Sequence, residues 1–291
     1  MYIEPDNIAF PGERDIPDEF KIKGTLLEQG SGLTNDDALS ENKNIYVVCD
    51  GATSLTDRDF ETGSGSGGGV AAKITAEVFS ENRGTLAHMA SRANDRIRDA
   101  MENAGLHPER REQLWSTSFA AARIVGNSLE WAQSGDCMIM LLYRDGSSRL
   151  VTEGTGHDVE VLRKWGMIGK QEKRSIHQVL ADDIAEVRRL MNRTYGVLNG
   201  ESEALEFVKY GVESLESVDV VLLFSDGFWI PSASPSVEPD AREMASLYRK
   251  SGLDGVRDRI RTVEKTDPGC YRFPRFKMHD DISAIALERS M

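Results

Sequence analysis

Two apolar segments of the chain end in the same acidic dipeptide. Residues 45–49 are apolar or aromatic and lead directly into Asp50-Gly51, and residues 220–224 lead through one serine into Asp226-Gly227. Short runs rich in β-branched and aromatic residues predict buried strands, and Asp-Gly is typical of the turn that ends a strand. A single aspartate of this kind could simply bond its own backbone in the turn. Its recurrence favours a functional role for the carboxylates.

Two more acidic positions continue the pattern. A third predicted strand, residues 131–136, ends in Asp136. Near the C-terminus the order is reversed, because Asp280 precedes the predicted strand 282–287. If this last strand runs antiparallel to the strand that ends at Asp226, both acidic groups lie at the same end of one sheet.

The first acidic strand has a local partner. Residues 34–40 are followed by a polar, turn-like tetrapeptide, residues 41–44. A hairpin folded about that turn sets Asp36 opposite residue 49, and so places Asp36 beside Asp50, since neighbouring strands lie about 5 Å apart. A slip of one residue in the register would undo this placement.

Carboxylates that converge at strand ends repel one another. At about 4 Å and an effective dielectric constant near 20, each like-charged pair costs on the order of 4 kcal/mol. Protonation or a hard divalent cation would relieve this repulsion. Oxygen-only ligands favour magnesium or manganese over zinc. Two such ions about 3.5–4 Å apart would activate a water molecule and offset the charge of a phosphate group.

The composition is that of an acidic globular protein. The 291 residues carry 48 acidic and 35 basic side chains, and the formal net charge of −13 argues against nucleic acid or an anionic membrane as a partner. The three cysteines, Cys49, Cys137 and Cys270, are far apart and form no CxxC pair, which favours a reducing compartment. With no signal peptide and no apolar run near 18 residues, the sequence predicts a soluble cytoplasmic protein.

A glycine-rich stretch, residues 63–69, precedes a predicted helix. Its composition alone is typical of a flexible linker. However, Val70, Ile74 and Val78 recur at helical spacing, so the stretch leads into a helix whose N-terminus could bind phosphate. The GxxxxGK[ST] pattern of a nucleotide-binding loop is missing, and a partial GxSxG match lies in a glycine tract rather than at a strand-to-helix turn.

The remaining segments complete a mixed pattern. From residue 116 to residue 151, short strands separated by short turns predict an antiparallel meander. Helices that are segregated from antiparallel strands define the α+β class. The further predicted helices span residues 85–104, 181–192, 241–250 and 253–264. We interpret residues 1–291 as one domain that begins with an irregular arm, residues 1–19.

The pattern is least informative between residues 153 and 217. His157 and His177 lie there in polar or mixed segments. We interpret both histidines as surface or packing residues rather than as ligands.

Five ordered motifs resemble those of one known family. They are Asn35-Asp36-Asp37-Ala38, Val48-Cys49-Asp50-Gly51, Ser134-Gly135-Asp136, Phe224-Ser225-Asp226-Gly227 and Asp280-Asp281-Ile282-Ser283. Together they resemble the metal-dependent, type 2C serine/threonine protein phosphatases, over residues 20–288. The resemblance implies a four-layer α-β-β-α sandwich of two antiparallel sheets flanked by helices. It also implies that residues 153–217 form a variable flap over the active site.

The resemblance implies a role for each acidic motif. The implied metal ligands are Asp36, Asp50, the carbonyl of Gly51, Asp226, Asp280 and, for a third and weaker ion, Asp136. Asp50 would bridge two manganese or magnesium ions. With Asp226, it would act in catalysis through a metal-bound water that attacks phosphoserine or phosphothreonine directly. Asp37 would orient its neighbours, and Asp281 would be a hydrogen-bonding neighbour. The implied partner is a phosphorylated protein, a kinase target, and we expect a monomer.

The sequence also departs from the family pattern. Ala52 stands where eukaryotic relatives carry a proton-donating histidine. The arginine that clamps the substrate phosphate in many relatives would fall near Gly32, yet no arginine lies between Lys23 and Arg58. Two alternatives therefore stay open: a pseudophosphatase that acts as a binding or regulatory module, and a phosphatase of small phosphate esters.

Overall fold

The structure, a computed structural model, describes residues 20–53, 66–106, 111–235 and 240–290. The arm expected at residues 1–19 lies outside the described residues, as does the first part of the glycine-rich stretch, residues 63–65. Within the described ranges, no helix is both long and apolar enough to span a membrane.

Within the residues that the structure describes, ten strands form two antiparallel sheets of five strands each. In chain order they are β1 (Phe20–Glu28), β2 (Asp37–Asn42), β3 (Ile45–Gly51), β4 (Thr117–Val125), β5 (Ser128–Ser134), β6 (Met138–Tyr143), β7 (Ser148–Leu150), β8 (Lys209–Ser214), β9 (Val218–Phe224) and β10 (Ile282–Arg289). One sheet has the order β1-β10-β9-β6-β7, and the other has the order β2-β3-β4-β5-β8.

Six helices accompany the sheets in the described part of the chain. They are α1 (Gly67–Ser80), α2 (Leu86–Asn103), α3 (Val159–Ile168), α4 (Ile176–Val179), α5 (Ala181–Arg189) and α6 (Ala241–Lys265). Ser66 and Thr85 cap α1 and α2 by accepting a hydrogen bond from a first-turn N–H. Gly252, at φ 65°, is non-helical and divides α6 into two helical parts, as expected from the helices predicted at residues 241–250 and 253–264.

The core lies in three layers between the elements. Val48 of β3 and Leu223 of β9 face each other between the sheets. Val47 and Cys49 point to the opposite side of β3, where they pack with α1 and α2. The outer face of the other sheet packs against α6. Because β3 is covered on both faces, its residues are apolar without alternation. The predicted α+β class and four-layer α-β-β-α sandwich are confirmed.

A smaller apolar cluster joins α3, α4 and α5. Trp165, Ile176 and Ile184 pack there with Cys270, which belongs to the segment after α6. The helix expected at residues 181–192 corresponds to α5, which ends at Arg189. These helices form much of the region, residues 153–217, that the resemblance implied as a flap.

The meander expected from residue 116 to residue 151 was wrong. β4 and β5 belong to one sheet, whereas β6 and β7 belong to the other. The chain crosses between the sheets at Gly135, whose φ of +81° lies in the left-handed region. A turn that reverses a hairpin and a turn that changes sheet both contain glycine and aspartate, so the sequence pattern did not distinguish them.

The hairpin register was also different from the prediction. β2 and β3 pair Asp37 with Asp50 and Asn42 with Ile45. The turn holds only two residues, with Lys43 at φ 54°, instead of the four residues expected. Asp37 therefore lies opposite Asp50, in the place that the predicted pairing brought Asp36 close to.

The pairing expected at the C-terminus is confirmed. β9 and β10 are antiparallel, with Phe224 opposite Ala284. Asp226 follows the end of β9 and Asp280 precedes the start of β10. Both carboxylates therefore lie at the same end of the sheet.

Candidate metal centre

Five carboxylates line one cavity of about 130 Å³ at the end of the sandwich: Asp158, which pairs with His157, and four that lie at strand ends or at the sheet crossing. Asp50 is the penultimate residue of β3, Asp136 follows the sheet crossing, Asp226 follows β9, and Asp280 precedes β10. We call these four residues the carboxylate floor. Gly51, the fifth member of the expected ligand set, lines the same cavity.

The carboxylate floor is short of compensating charge. Burial raises the pKa of Asp50 well above its usual range, and the charges of Asp226, Asp37 and Asp136 raise it further. Burial and the charges of Asp280 and Asp136 likewise raise the pKa of Asp226. A group of buried carboxylates in this state takes up either protons or cations.

Asp37 lies next to the carboxylate floor, and the resemblance implied only that it would orient its neighbours. Its side chain is buried, and it pairs across the hairpin with Asp50. Burial, together with the charges of Asp280 and Asp281, raises its pKa to about 7. Among the described residues, its Oδ2 has no hydrogen-bond partner. A buried carboxylate oxygen without a donor is suited to a cation.

Asp36 is held by other groups beside the site. Its Oδ1 accepts hydrogen bonds from Ser66 Oγ and from Thr34 Oγ1, the latter at 2.9 Å. Its backbone carbonyl accepts a hydrogen bond of 3.1 Å from the N–H of Gly51. Burial raises its pKa. The residue thus ties the start of β2 to the N-cap of α1 and to the Asp-Gly turn of β3.

Asp281 organises the backbone around the site. Its carboxylate accepts hydrogen bonds from the N–H of Gly30, at 2.7 Å, and from the N–H of Asp36, at 3.1 Å. It is buried and joins β10 to the segment between β1 and β2. These bonds agree with the expected part of a hydrogen-bonding neighbour.

The glycine-rich start of α1 packs directly against the Asp-Gly turn. A Cβ on Gly68 would lie 2.2 Å from the carbonyl oxygen of Ala52, and a Cβ on Gly51 would lie 2.3 Å from the carbonyl carbon of Gly68. Only glycine permits this approach of two backbones. Gly67–Gly69 are buried in the contact and do not line the cavity. Their part is to bring α1 against β3.

Besides His157, three basic side chains line the cavity near the carboxylates. His177 comes from α4, Arg188 from the last turn of α5, and Lys277 from the loop before Asp280. We call them the basic wall. Sequence reasoning missed all three as site residues. Only Lys277, three positions before an acidic motif, carried a local signal.

The basic wall is tied to its surroundings by polar contacts. Lys277 Nζ lies 2.8 Å from Asp280 Oδ1 and 3.5 Å from Asp281 Oδ2. Burial lowers the pKa of Lys277, but these two charges outweigh burial and raise it overall. Arg188 donates a hydrogen bond to the carbonyl of Thr53.

His157 and His177 both line the cavity, whereas the sequence pattern predicted surface or packing positions for them. His157 stacks on Tyr195 with a centroid distance of 4.0 Å, and its Nε2 lies 3.2 Å from Asp158 Oδ2. Burial lowers the pKa of His157, but Asp158 and more distant carboxylates raise it to about 9. Burial lowers the pKa of His177, and the charges of Arg188 and Lys277 lower it further. The packing part expected for His157 is thus combined with a place at the site.

The donor chemistry of the floor fits magnesium or manganese. All four side chains offer carboxylate oxygens. Asp37, which does not line the cavity, has an unpartnered Oδ2 and pairs with Asp50 across the hairpin. In the described part of the chain, no three His, Cys, Asp or Glu side chains are close enough to form a complete metal-binding group. The carboxylates would therefore have to draw together around a cation.

Comparison with solved structures finds proteins that share this fold. No family model and no curated protein matches the sequence. The catalytic domain of the serine/threonine protein phosphatase PstP, in complex with two manganese ions, superposes with a TM-score of 0.56 at 16% identity, covering 92% of this chain and 97% of that chain. The serine/threonine phosphatase Stp1 from Staphylococcus aureus gives 0.57 at 15% identity, covering 93% and 96%. PppA, a key regulatory component of T6SS in Pseudomonas aeruginosa, gives 0.59 at 16% identity, covering 93% and 98%. The chain therefore has the fold of these proteins over almost its whole length.

Proposed function

We propose that the chain is a metal-dependent phosphatase that hydrolyses phosphoserine and phosphothreonine on proteins. One observation carries this proposal: four carboxylates from distant parts of the chain meet in one cavity at the end of a sandwich shared with PstP. The PstP structure contains two manganese ions. A buried acidic cluster without such ions is costly to maintain, so its presence favours a use for it.

The proposed ligands follow from the cavity lining. Asp50 is central, because it lines the cavity with Asp136, Asp226 and Asp280 and pairs across the hairpin with Asp37. With it we propose the Gly51 carbonyl, Asp226, Asp280 and, for a third ion, Asp136. Two manganese or magnesium ions held there would lower the pKa of a water molecule and offset the charge of the phosphate.

Asp36 and Asp37, at the start of β2, are proposed to have different roles. We propose that Asp37, which lies opposite Asp50 and has an unpartnered oxygen, joins the ligand set. The Oδ1 of Asp36 is engaged by Ser66 and Thr34, and Asp36 does not line the cavity. We therefore assign Asp36 mainly to positioning the Asp-Gly turn through its carbonyl.

The compartment, the partner and the oligomeric state are separate parts of the proposal. All three cysteines are buried free thiols in the described residues, which fits a reducing cytoplasm. A phosphorylated protein, the target of a kinase, is the proposed partner, and a monomer is the proposed state.

The function is tested by phosphate release from a phosphoserine peptide, a phosphothreonine peptide and p-nitrophenyl phosphate. Each assay is run with manganese, with magnesium and with EDTA. We expect turnover that requires metal and is lost in Asp226→Asn. The matched control is Asp219→Asn, which changes a half-exposed aspartate on β9, the strand that precedes Asp226. Turnover of the small ester alone would favour a phosphatase of small esters. No turnover with manganese still bound would favour a pseudophosphatase.

A further inference from the structure

The cavity has two sides of opposite charge, and only one of them is explained by metal binding. The carboxylate floor lies at the strand ends, whereas the basic wall comes from α4, α5 and the loop before β10. Arg188 and Lys277 are cations at neutral pH, and both side chains line the cavity. A cation pair next to a metal centre would weaken metal binding, so its presence needs another reason.

Lys277 belongs to an ordered loop. The carboxylate of Asp267 accepts backbone hydrogen bonds from Tyr271, Arg272 and Phe273, at 3.1, 3.1 and 2.9 Å. The carbonyl of Lys277 itself lies 3.3 Å from Cys270 Sγ. Its side chain is thus presented to the cavity by a fixed backbone, which limits the entropy lost when it binds a ligand.

Arg188 lies above the Asp-Gly turn. Its guanidinium bonds the carbonyl of Thr53, three residues after Asp50. Arg188 is carried by α5, which is held in place because Ile184 and Val187 pack in the apolar cluster that joins α3, α4 and α5. A guanidinium in this place offers the planar donor fork that matches phosphate oxygens.

We propose that Arg188 and Lys277 bind the phosphoryl oxygens of the substrate, with His177 as a neighbouring donor. The proposal rests on the proposed function and names the residues that take the part of the missing arginine near Gly32. A phosphate monoester brings close to two negative charges at pH 7. Two divalent ions would neutralise the carboxylates of the floor. Arg188 and Lys277 would then neutralise the negative charge of the incoming phosphate.

The test uses inorganic phosphate as the probe, on the full chain loaded with manganese. Phosphate affinity is measured by calorimetry, and the KM and kcat for p-nitrophenyl phosphate are measured separately. In Arg188→Met we expect phosphate affinity to fall about tenfold or more, with KM rising similarly, because a charge-assisted bond to an anion is lost. Manganese affinity should stay unchanged. Arg188→Lys should recover part of the phosphate affinity.

Lys277→Met gives a sharper signature. Because Lys277 competes with cations for Asp280, its removal should strengthen manganese binding while it weakens phosphate binding. A purely structural role would weaken both. The control is Arg189→Met, the next residue on α5, which is half-exposed and pairs with Glu186 and Glu112. It should change neither affinity.

The outcomes separate this inference from the function it rests on. If the wild-type protein binds phosphate without hydrolysing esters, and both variants lose that binding, the wall is confirmed and the hydrolase function fails. Phosphate affinity equal to wild type in both Arg188→Met and Lys277→Met would overturn the wall whatever the turnover. So would a wild-type protein that binds manganese but no phosphate.

Discussion

The carboxylate floor and the basic wall line the same cavity, yet they are built in different ways. Every residue of the floor adjoins the end of a strand or the crossing between the sheets. The wall comes from a four-residue helix, the last turn of another helix and an irregular loop. Strand pairing fixes the floor, whereas side-chain packing of separate segments fixes the wall. The position of the floor therefore depends on sheet topology, whereas that of the wall depends on how separate segments pack.

The two regions also differ in how their charges are balanced. Burial and mutual repulsion raise the pKa of the floor residues Asp50 and Asp226. Lys277 is instead paired with Asp280 and Asp281, and Arg188 donates to a backbone carbonyl. Substitutions in the floor should therefore relieve strain in the metal-free protein, while substitutions in the groups that support it should destabilise the fold.

The largest expected effect is that of Asp50→Asn. It should reduce metal-dependent turnover by about a thousandfold or more, because the central carboxylate of the site is lost. The free energy of unfolding of the metal-free protein should stay level or rise, since one buried like charge is removed. Turnover assays and urea unfolding in EDTA measure the two effects. A folded variant with full activity would contradict the central place of Asp50.

The next largest effect is expected in the ion network beneath Asp280. Arg261 is buried and bonds Glu28 at 2.8 Å, Glu264 at 2.9 Å and the carbonyl of Asp280 at 2.8 Å. Arg261→Met should destabilise the protein by about 2–4 kcal/mol, because it removes the buried cation that Glu28, Glu264 and the Asp280 carbonyl share. It should also weaken manganese binding.

Chemical unfolding and calorimetry check both results for Arg261→Met. Arg259→Met, which removes a more exposed arginine of the same helix, is the control. An unchanged manganese affinity in a destabilised Arg261→Met protein would show that the network supports the fold but not the floor.

A smaller effect is expected from one methyl group at the start of α1. Gly68→Ala places a Cβ against the Ala52 carbonyl and should cost about 1–3 kcal/mol through overpacking. Because the contact adjoins the Asp-Gly turn, activity should fall with stability. Gly154→Ala is the matched control, since a Cβ there meets nothing within 4 Å among the described residues. Equal thermal stability of the two variants would argue against the close backbone contact.

The smallest predicted effect concerns pH. The pKa of His157 is raised from its ordinary value of 6.5 to about 9, so its charged form stabilises the folded state below pH 6.5. That stabilisation, about 1–3 kcal/mol, should be lost as the pH rises from 6.5 through 9. Thermal unfolding in EDTA should show this loss in wild type and a flatter profile in His157→Gln. Identical slopes would contradict the assigned contact with Asp158.

The sequence was most informative where local pattern and sheet geometry coincide. The antiparallel pairing of β9 and β10, and with it the meeting of Asp226 and Asp280, followed from two short apolar runs. The α+β class followed from the same kind of evidence. The sequence did not predict that Asp37, rather than Asp36, lies opposite Asp50. Lys43 has a left-handed backbone conformation in a turn that is shorter than expected, and the pairing of β2 and β3 shifts with it.

Features that depend on packing between distant segments were beyond the sequence. Nothing local marks Arg188 or His177 as neighbours of an acidic strand end, since their position depends on how α4 and α5 pack with residues 270–276. The change of sheet at Gly135 was hidden for a similar reason. A tight turn between two apolar strands is compatible with one sheet or with two.

A metal centre at the carboxylate floor is tested most directly by isothermal calorimetry of manganese binding to the purified full chain. Asp50→Asn and the control Asp219→Asn are measured alongside, each checked for folding by circular dichroism. The account predicts that wild type and Asp219→Asn bind manganese with equal affinity and that Asp50→Asn binds it at least about a hundredfold more weakly. Equal binding by all three proteins, or no binding by wild type, would contradict a metal centre at the carboxylate floor.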